Sequence, residues 1–421
     1  MNILILHAMG NPRKWLRSVS AFELGLPNFD DSHNYLVHNT SLPLPKFVQD
    51  FRFDMIIMNS SFMTSVFDRQ RLNQMKTDYG FLKHSDAFKV ALPQDDYYCS
   101  EELDKTVTEW GINLLYTVCP KYWDILYPRF RSTPGKLFLG YTGYITPEIL
   151  SKSPNPKARN LRSRDISYRA SGKPSFPNKL ATLKAHIGDI FLENFGDEPW
   201  MTDISSKSSS FISGSAWWDF IEDSKCVLGS MSGSSNLIRN HEVVDKIRAY
   251  QKSNPDAGDD EIIQNSMPAA DTCNIYEAIS PRVIEAAILN SVQILVKGDY
   301  SDILVPHHDY MPIVGNFLNG ERNITNKDEI RELINNPSMQ EKTAFQCRET
   351  ILSFDRLRIE NFFQEIFTEF ETWNRTGTNV GTSSFSKMKA KYNLLMSPLY
   401  SLKFQTGNSI NFLRQLKAKL K

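Results

Sequence analysis

Short apolar runs recur along this chain, separated by longer polar stretches that suit helices. In the first 150 residues they fall at 3–6, 55–58, 90–92, 114–118 and 137–139. Each run has the length of a strand, and several are apolar at consecutive positions, so both faces of the strand are apolar. Such strands belong in parallel sheets covered by helices on both sides, because a strand with one face in water would alternate. The pattern predicts an α/β domain. A second set of runs follows at 166–168, 227–228 and 294–296. Between the two sets, residues 151–164 are basic, contain two prolines and lack an apolar period, which marks a linker. The Ser-rich run 205–215 reads as a loop.

From about Lys327 the period changes. Ile359, Phe362, Phe363, Ile366, Phe367 and Phe370 fall at i, i+3, i+4, i+7, i+8 and i+11. That is one face of an amphipathic helix, and an aromatic stripe of this kind is core material. The 421 residues suffice for two or three domains. The expected organisation is an N-terminal Rossmann-like domain (1–150), the linker (151–164), a second Rossmann-like domain (165–340), C-terminal helices (341–384) and a tail (385–421). In such open α/β sheets, ligands bind at the carboxyl ends of strands, here in the cleft between the halves.

Charge excludes some functions. The 48 Lys and Arg balance 48 Asp and Glu, which argues against a uniformly basic nucleic-acid binder, and no nucleic-acid partner is expected. No apolar run approaches the roughly 18 residues of a membrane span. The five cysteines are scattered, with no CxxC pair, which fits a reducing compartment and offers no zinc framework. The N-terminus has no basic region before its short apolar run and reads as a first strand, so the expected location is the cytoplasm. The balance also conceals an asymmetry. The last acidic residue is Glu371, and residues 372–421 hold nine Lys and Arg. Met388, Tyr392, Leu395, Leu399, Ile410, Leu413, Leu416 and Leu420 are interleaved at helical spacing. A basic amphipathic tail over 385–421 can dock on an anionic membrane surface or pack on the acidic body.

Four segments carry candidate chemistry. In Ile279-Ser280-Pro281-Arg282, Ser280 suits an N-cap and Pro281 the first turn of a helix running to about Asn290. The helix N-terminus and Arg282 would suit a phosphate. Glu277 precedes this helix and Glu285 lies inside it; the two could accept hydrogen bonds from sugar hydroxyls, or be a loop and a surface carboxylate. Asp165-Ile166-Ser167-Tyr168-Arg169 ends a strand, and Lys179 and Lys184 follow on a helix. Arg169 and Lys184 could converge on a diphosphate leaving group, or be solvated. Leu228-Gly229-Ser230-Met231-Ser232-Gly233-Ser234-Ser235 is a small-residue loop after a strand. Ser230 and Gly233 would let the backbone approach a ligand; the segment is neither GxGxxG nor a P-loop. In Gln94-Asp95-Asp96-Tyr97, after another strand, Asp95 could orient an acceptor hydroxyl or act as a base, or the segment could be an Asx turn. No metal set is evident: His307 and His308 are adjacent, and His7 at the end of the first strand is the better cleft candidate.

Taken in order, these segments, together with Gly298-Asp299-Tyr300-Ser301, His308-Asp309-Tyr310-Met311-Pro312 and Leu139-Gly140-Tyr141-Thr142-Gly143-Tyr144, resemble bacterial group 1 glycosyl transferases, including CgeB-like members. The resemblance spans about residues 1–335. It implies a GT-B fold, with an acceptor domain first and a nucleotide-sugar donor domain second. It implies a glycosyltransferase that uses a nucleoside-diphosphate sugar without cofactor or metal. The acceptor would be a surface glycan or glycolipid, as in lipopolysaccharide or polysaccharide biosynthesis. The Glu-x7-Glu spacing resembles that of retaining family 4 enzymes, where the first Glu, here Glu277, contacts the donor sugar and the second, here Glu285, the ribose. Arg169 and Lys184 would hold the diphosphate. Two other readings remain: a sugar-nucleotide epimerase on the same fold, and a non-catalytic glycan-binding or scaffold protein.

Overall fold

The computed structural model describes residues 1–10, 17–152, 154–170, 174, 176–373 and 382–406. Two parallel sheets organise it. The first contains β1 (Asn2–His7), β2 (Asn34–Asn39), β3 (Met55–Met58), β4 (Phe88–Ala91), β5 (Leu114–Thr117) and β6 (Lys136–Leu139), in the spatial order β2-β1-β3-β4-β5-β6. The remaining strands are β7 (Arg164–Arg169), β8 (Thr202–Ser205), β9 (Ser224–Gly229), β10 (Ser232–Ser234), β11 (Tyr276–Ala278), β12 (Val292–Val296) and β13 (Met311–Ile313). Five of them make the second sheet, ordered β13-β12-β9-β7-β8, while β10 and β11 form a separate antiparallel ribbon. This is the expected α/β architecture: two Rossmann-like domains in the GT-B outline, with a helical C-terminal extension.

The unbroken apolar runs became the strands with no exposed face. Every position of β1, β3, β4, β5 and β12 is buried, because helices cover both sides. The strands that patterning missed in these sheets, β2, β8 and β13, all lie at sheet edges. Edge strands tolerate polar residues, and β13 even holds Pro312, whose missing N–H costs nothing where no further strand pairs.

The stretch expected as a linker is anchored by its own charges. Arg162 is buried and donates to the carbonyls of Ser224 (2.9 Å) and Leu289 (3.0 Å) and to the Ser291 hydroxyl (2.9 Å). Arg159 donates to the carbonyls of Lys225 and Asn290, both at 3.0 Å. The basic residues here cap the amino-terminal side of the second sheet.

The C-terminal helices divide between the domains. Helix Pro337–Ser353 packs against β12, with the Gln293 amide reaching the Cys347 sulfur. Helix Ile359–Trp373 then returns to the first sheet and buries the whole predicted stripe. Phe362 packs on Phe22, Tyr116 and Tyr144, and Phe370 on Phe88. Helix Thr382–Thr406 covers a further part of the first domain. Its Phe385, Met388, Tyr392 and Met396 are buried, and the Tyr392 hydroxyl meets Nδ1 of buried His38 at 2.8 Å. So, of the two expected alternatives, the apolar side packs on the protein as far as Met396, leaving Lys387 and Lys391 outward. Ile410, Leu413, Leu416 and Leu420 lie outside the described residues.

The domains also meet through backbone. Ile238 N–H donates to Tyr97 C=O (2.9 Å) and Glu101 N–H to Arg239 C=O (2.8 Å). The segment Thr142-Gly143 of the first domain abuts the helix Pro281–Ile288 of the second: Thr142 donates to the Ile279 carbonyl, and a Cβ on Gly143 would lie 2.8 Å from Pro281 Cβ. A side chain there would push the two halves apart, which accounts for glycine at this position.

Candidate active site

In the second sheet the chain passes from β7 outward to β8, then returns to β9 on the other side of β7. A crevice opens at the carboxyl ends of β7 and β9, where ligands bind in such sheets. Helix Pro281–Ile288 points its N-terminus at this place. Ser280 holds the N-cap position with extended backbone, but its side chain makes no capping bond. Pro281 has no N–H and Val283 donates to the Ser280 carbonyl (3.0 Å), so the first turn offers an anion the Arg282 N–H and the positive dipole end.

The recess here is lined by Lys184, Ser230, Ser280 and Arg282 among others. Lys184 stands on helix Lys179–Phe195, started by the Asn178 side chain accepting from Ala181 N–H, and its Nζ donates to Ser232 Oγ at 2.7 Å. The Arg282 guanidinium lies 5.0 Å from the Tyr168 ring centre and 5.1 Å from that of Trp217. Its Nε is buried and unpartnered. Burial, with the Arg282 charge second, draws the Lys184 ammonium down to about 8; Asp95 on the facing domain works in the opposite direction. Two cations and a helix N-terminus held together without an anion favour a dianionic ligand, because each charge would relieve the repulsion of the others.

Of the residues expected at the site, Lys184, Ser230, Ser280 and Arg282 are brought together. Asp95 is exposed at the end of β4 in left-handed backbone (φ 58°), bonded to the Tyr97 hydroxyl, and its charge is felt at Lys184 across the cleft. Glu277 is half-buried in β11, and its carboxylate accepts the Asp299 N–H at 3.1 Å; burial raises its pKa.

Three expected roles are corrected. Arg169 does not join the Lys184 recess. It is not among the residues that line that recess. Its guanidinium turns instead to β8, where it pairs with Asp203 (2.6 Å), and it stacks 4.5 Å from the Phe220 ring centre. Gly233 serves backbone pairing rather than a ligand: at φ 119° opposite Glu277, a Cβ would lie 1.9 Å from the Tyr276 carbonyl oxygen. Glu285 is buried with both oxygens engaged, one accepting from the Trp217 indole (2.8 Å) and the other from that of Trp218 (3.1 Å). Burial outweighs those bonds and raises its pKa. In this arrangement Glu285 fixes the indole that lies against Arg282. His7 is buried and held neutral, its pKa lowered by burial to about 4.

Sequence reasoning missed the tryptophan pair, whose significance depends on a partner 67 and 68 positions away. It also passed over Asp96. This carboxyl is fully buried, accepts from Thr117 and from Tyr127 (2.7 Å), and is pushed by burial up to about 7. It ties the Asp95 turn to the end of β5.

No family model and no curated protein sequence matches this chain. Several solved structures share its outline. One is described as an alpha-glucosyltransferase in complex with UDP and DNA containing an HMU base (11% identity, 88% of this chain and 99% of that one, TM-score 0.49). Others are a glycosyltransferase from Rickettsia africae (11%, 89% and 99%, 0.47) and Anabaena HepE with UDP and glucose (9%, 88% and 100%, 0.45). TM-scores below 0.5 describe a loose likeness, and the chemistry of this chain has to be read from its own side chains.

Proposed function

We propose that the protein is a GT-B glycosyltransferase that moves a sugar from a nucleoside-diphosphate donor. The observation that carries this is the Lys184–Arg282 recess at the helix N-terminus, set at the strand ends where an open α/β sheet binds ligands. A diphosphate seated there gains negative charge as the glycosidic bond breaks. Lys184, Arg282 and the positive end of the helix are fixed in place before that charge develops, which is how electrostatic preorganisation lowers a barrier. These groups supply positive charge from the protein itself, in keeping with a reaction that uses no metal or cofactor. Glu277 accepts hydrogen bonds from the donor sugar, and Asp95 faces the recess from the acceptor domain.

The acceptor class follows from the resemblance: a bacterial surface glycan, lipopolysaccharide or polysaccharide, with retention of configuration at the transferred sugar. The reading places the enzyme in the cytoplasm, on the inner membrane face if the outward lysines of helix Thr382–Thr406 and the cationic residues after it meet anionic lipid. Among the described residues, no helix is long and apolar enough to cross a membrane. The zero net charge supports the absence of a nucleic-acid partner.

Calorimetric titration of the full chain with UDP and other nucleoside diphosphates tests the donor reading. Binding is expected for at least one, and Glu277→Ala should lower transfer from the matching sugar nucleotide steeply while leaving diphosphate affinity unchanged. If no nucleoside diphosphate binds, the reading fails.

A further inference from the structure

Beside Glu277 the cleft holds a second recess of about 110 Å³, built from both domains. The loop after β5 contributes Cys119, Lys121 and Tyr122; the second domain contributes Tyr276, Glu277 and Asp299. Lys121 and Asp299 form an ion pair across the cleft, and the Asp299 N–H is the one that holds Glu277. Tyr122 is 37% exposed and meets the Tyr276 ring edge-on, with centres 5.3 Å apart.

The backbone here is unusual. Tyr122 has φ 65°, and Tyr300, Ser301 and Asp302, just after Asp299, have φ 44°, 57° and 57°. Left-handed backbone in a bulky aromatic residue, and in three residues running, costs free energy and persists at sites that over-determine it. Tyr122 lines the recess itself, and the run Tyr300–Asp302 follows directly on its Asp299 wall, which points to a ligand there.

The charges say which kind. The one cation, Lys121, is already paired, and Glu277 leaves an acidic excess. An anion entering would meet carboxylate repulsion, stronger in a partly dry cleft than in water. A neutral ring bearing hydroxyls fits. Its O–H groups donate to Asp299, leaving Glu277 to the donor sugar, and its C–H face packs on the exposed Tyr122 ring.

We infer that this recess is the acceptor subsite and takes an uncharged, polyhydroxylated sugar ring, with Tyr122 as its platform and the Lys121–Asp299 pair as its polar rim. The inference rests on the transferase reading above and adds the chemical class of the acceptor's reacting end. The donor's own sugar has the same chemistry, but Lys121 and Tyr122 belong to the first domain, and neither lines the Lys184 recess.

The test is saturation-transfer NMR on the full chain with saturating UDP. The probes are methyl α- and β-hexopyranosides, compared with hexose 1-phosphates. Transfer to the neutral glycosides is expected, falling at least fivefold in Tyr122→Ala and in Lys121→Met, with little transfer to the phosphates. Unchanged UDP affinity in both variants confirms that they fold. Undiminished glycoside signals in the variants, or phosphates bound as well as glycosides, would overturn the subsite. So would a Tyr122→Ala variant that weakens UDP-glucose relative to UDP, since the recess would then hold the donor's sugar. Repeating the glycoside titration without nucleotide separates this outcome from failure of the donor reading, which shows as absence of UDP binding to the wild type.

Discussion

The two recesses of the cleft are built in opposite ways. The Lys184 recess belongs to one domain, is cationic, and is braced from beneath by buried groups: Glu285 holds Trp217, and Trp217 and Tyr168 flank Arg282. The Lys121 recess needs both domains, is acidic on balance, and is closed by an ion pair with half its surface in water. An exposed pair of that kind is worth at most about 1 kcal/mol, so the second recess can open at little cost while the first stays formed. The contrast suits an order of events in which a tightly held anion is in place before a neutral ring enters and leaves.

The largest effect should come from removing both cations of the first recess. A hydrogen bond to a charged group contributes about 1.5–3 kcal/mol, so Lys184→Ala with Arg282→Ala should weaken UDP binding by roughly 10² to 10⁴-fold in calorimetry, at 1.4 kcal/mol per tenfold. Glycoside binding at the second recess should survive. If both fall together, the two recesses are one site.

The pH dependence comes next. A diphosphate prefers the Lys184 ammonium, whose pKa in the free protein is about 8. UDP affinity attributable to this group should therefore be flat below about pH 8. Above it, affinity falls up to about tenfold per unit as a proton must be taken up on binding, until the pKa of the complex is reached. Lys184→Met should flatten that limb of the profile. An unchanged profile in the variant would assign the titration elsewhere.

Arg169→Ala sharpens the boundary of the first recess. It should cost about 1–3 kcal/mol in denaturant-measured stability, since the Asp203 carboxylate and carbonyl lose their donor, yet leave UDP affinity within twofold. A large affinity loss would return Arg169 to the diphosphate. The smallest effect is expected from salt. Raising ionic strength from 0.1 to 1 M shortens screening from about 10 to 3 Å and should weaken UDP several-fold while leaving methyl glycosides unaffected.

Much of this was legible in the chain itself. Strands buried on both faces announce themselves because nothing polar interrupts them, and the stripe from Ile359 to Phe370 could only be a helix face. Pro281 after Ser280 marked the helix that faces the diphosphate recess. The edge strands β2, β8 and β13 were not legible, unlike β6, since one open side lets β2 and β8 carry asparagine, threonine and serine. Nor was the direction of the Arg169 guanidinium, which turns to Asp203, 34 positions away. The roles of Glu285 and Gly233 depended on contacts made only after the second domain had closed on itself.

The return of helix Ile359–Trp373 to the first sheet bears on how the protein is made. Phe22, Phe88, Tyr116 and Tyr144 emerge from the ribosome well before the aromatic face that covers them. At roughly 5–20 residues per second, the first domain waits on the order of tens of seconds with part of its core uncovered. Ribosome-stalled chains ending near residue 340 should be cut readily by protease within the first 150 residues, whereas chains long enough to free the helix should resist. The first domain thus matures only when a helix encoded beyond the second domain arrives.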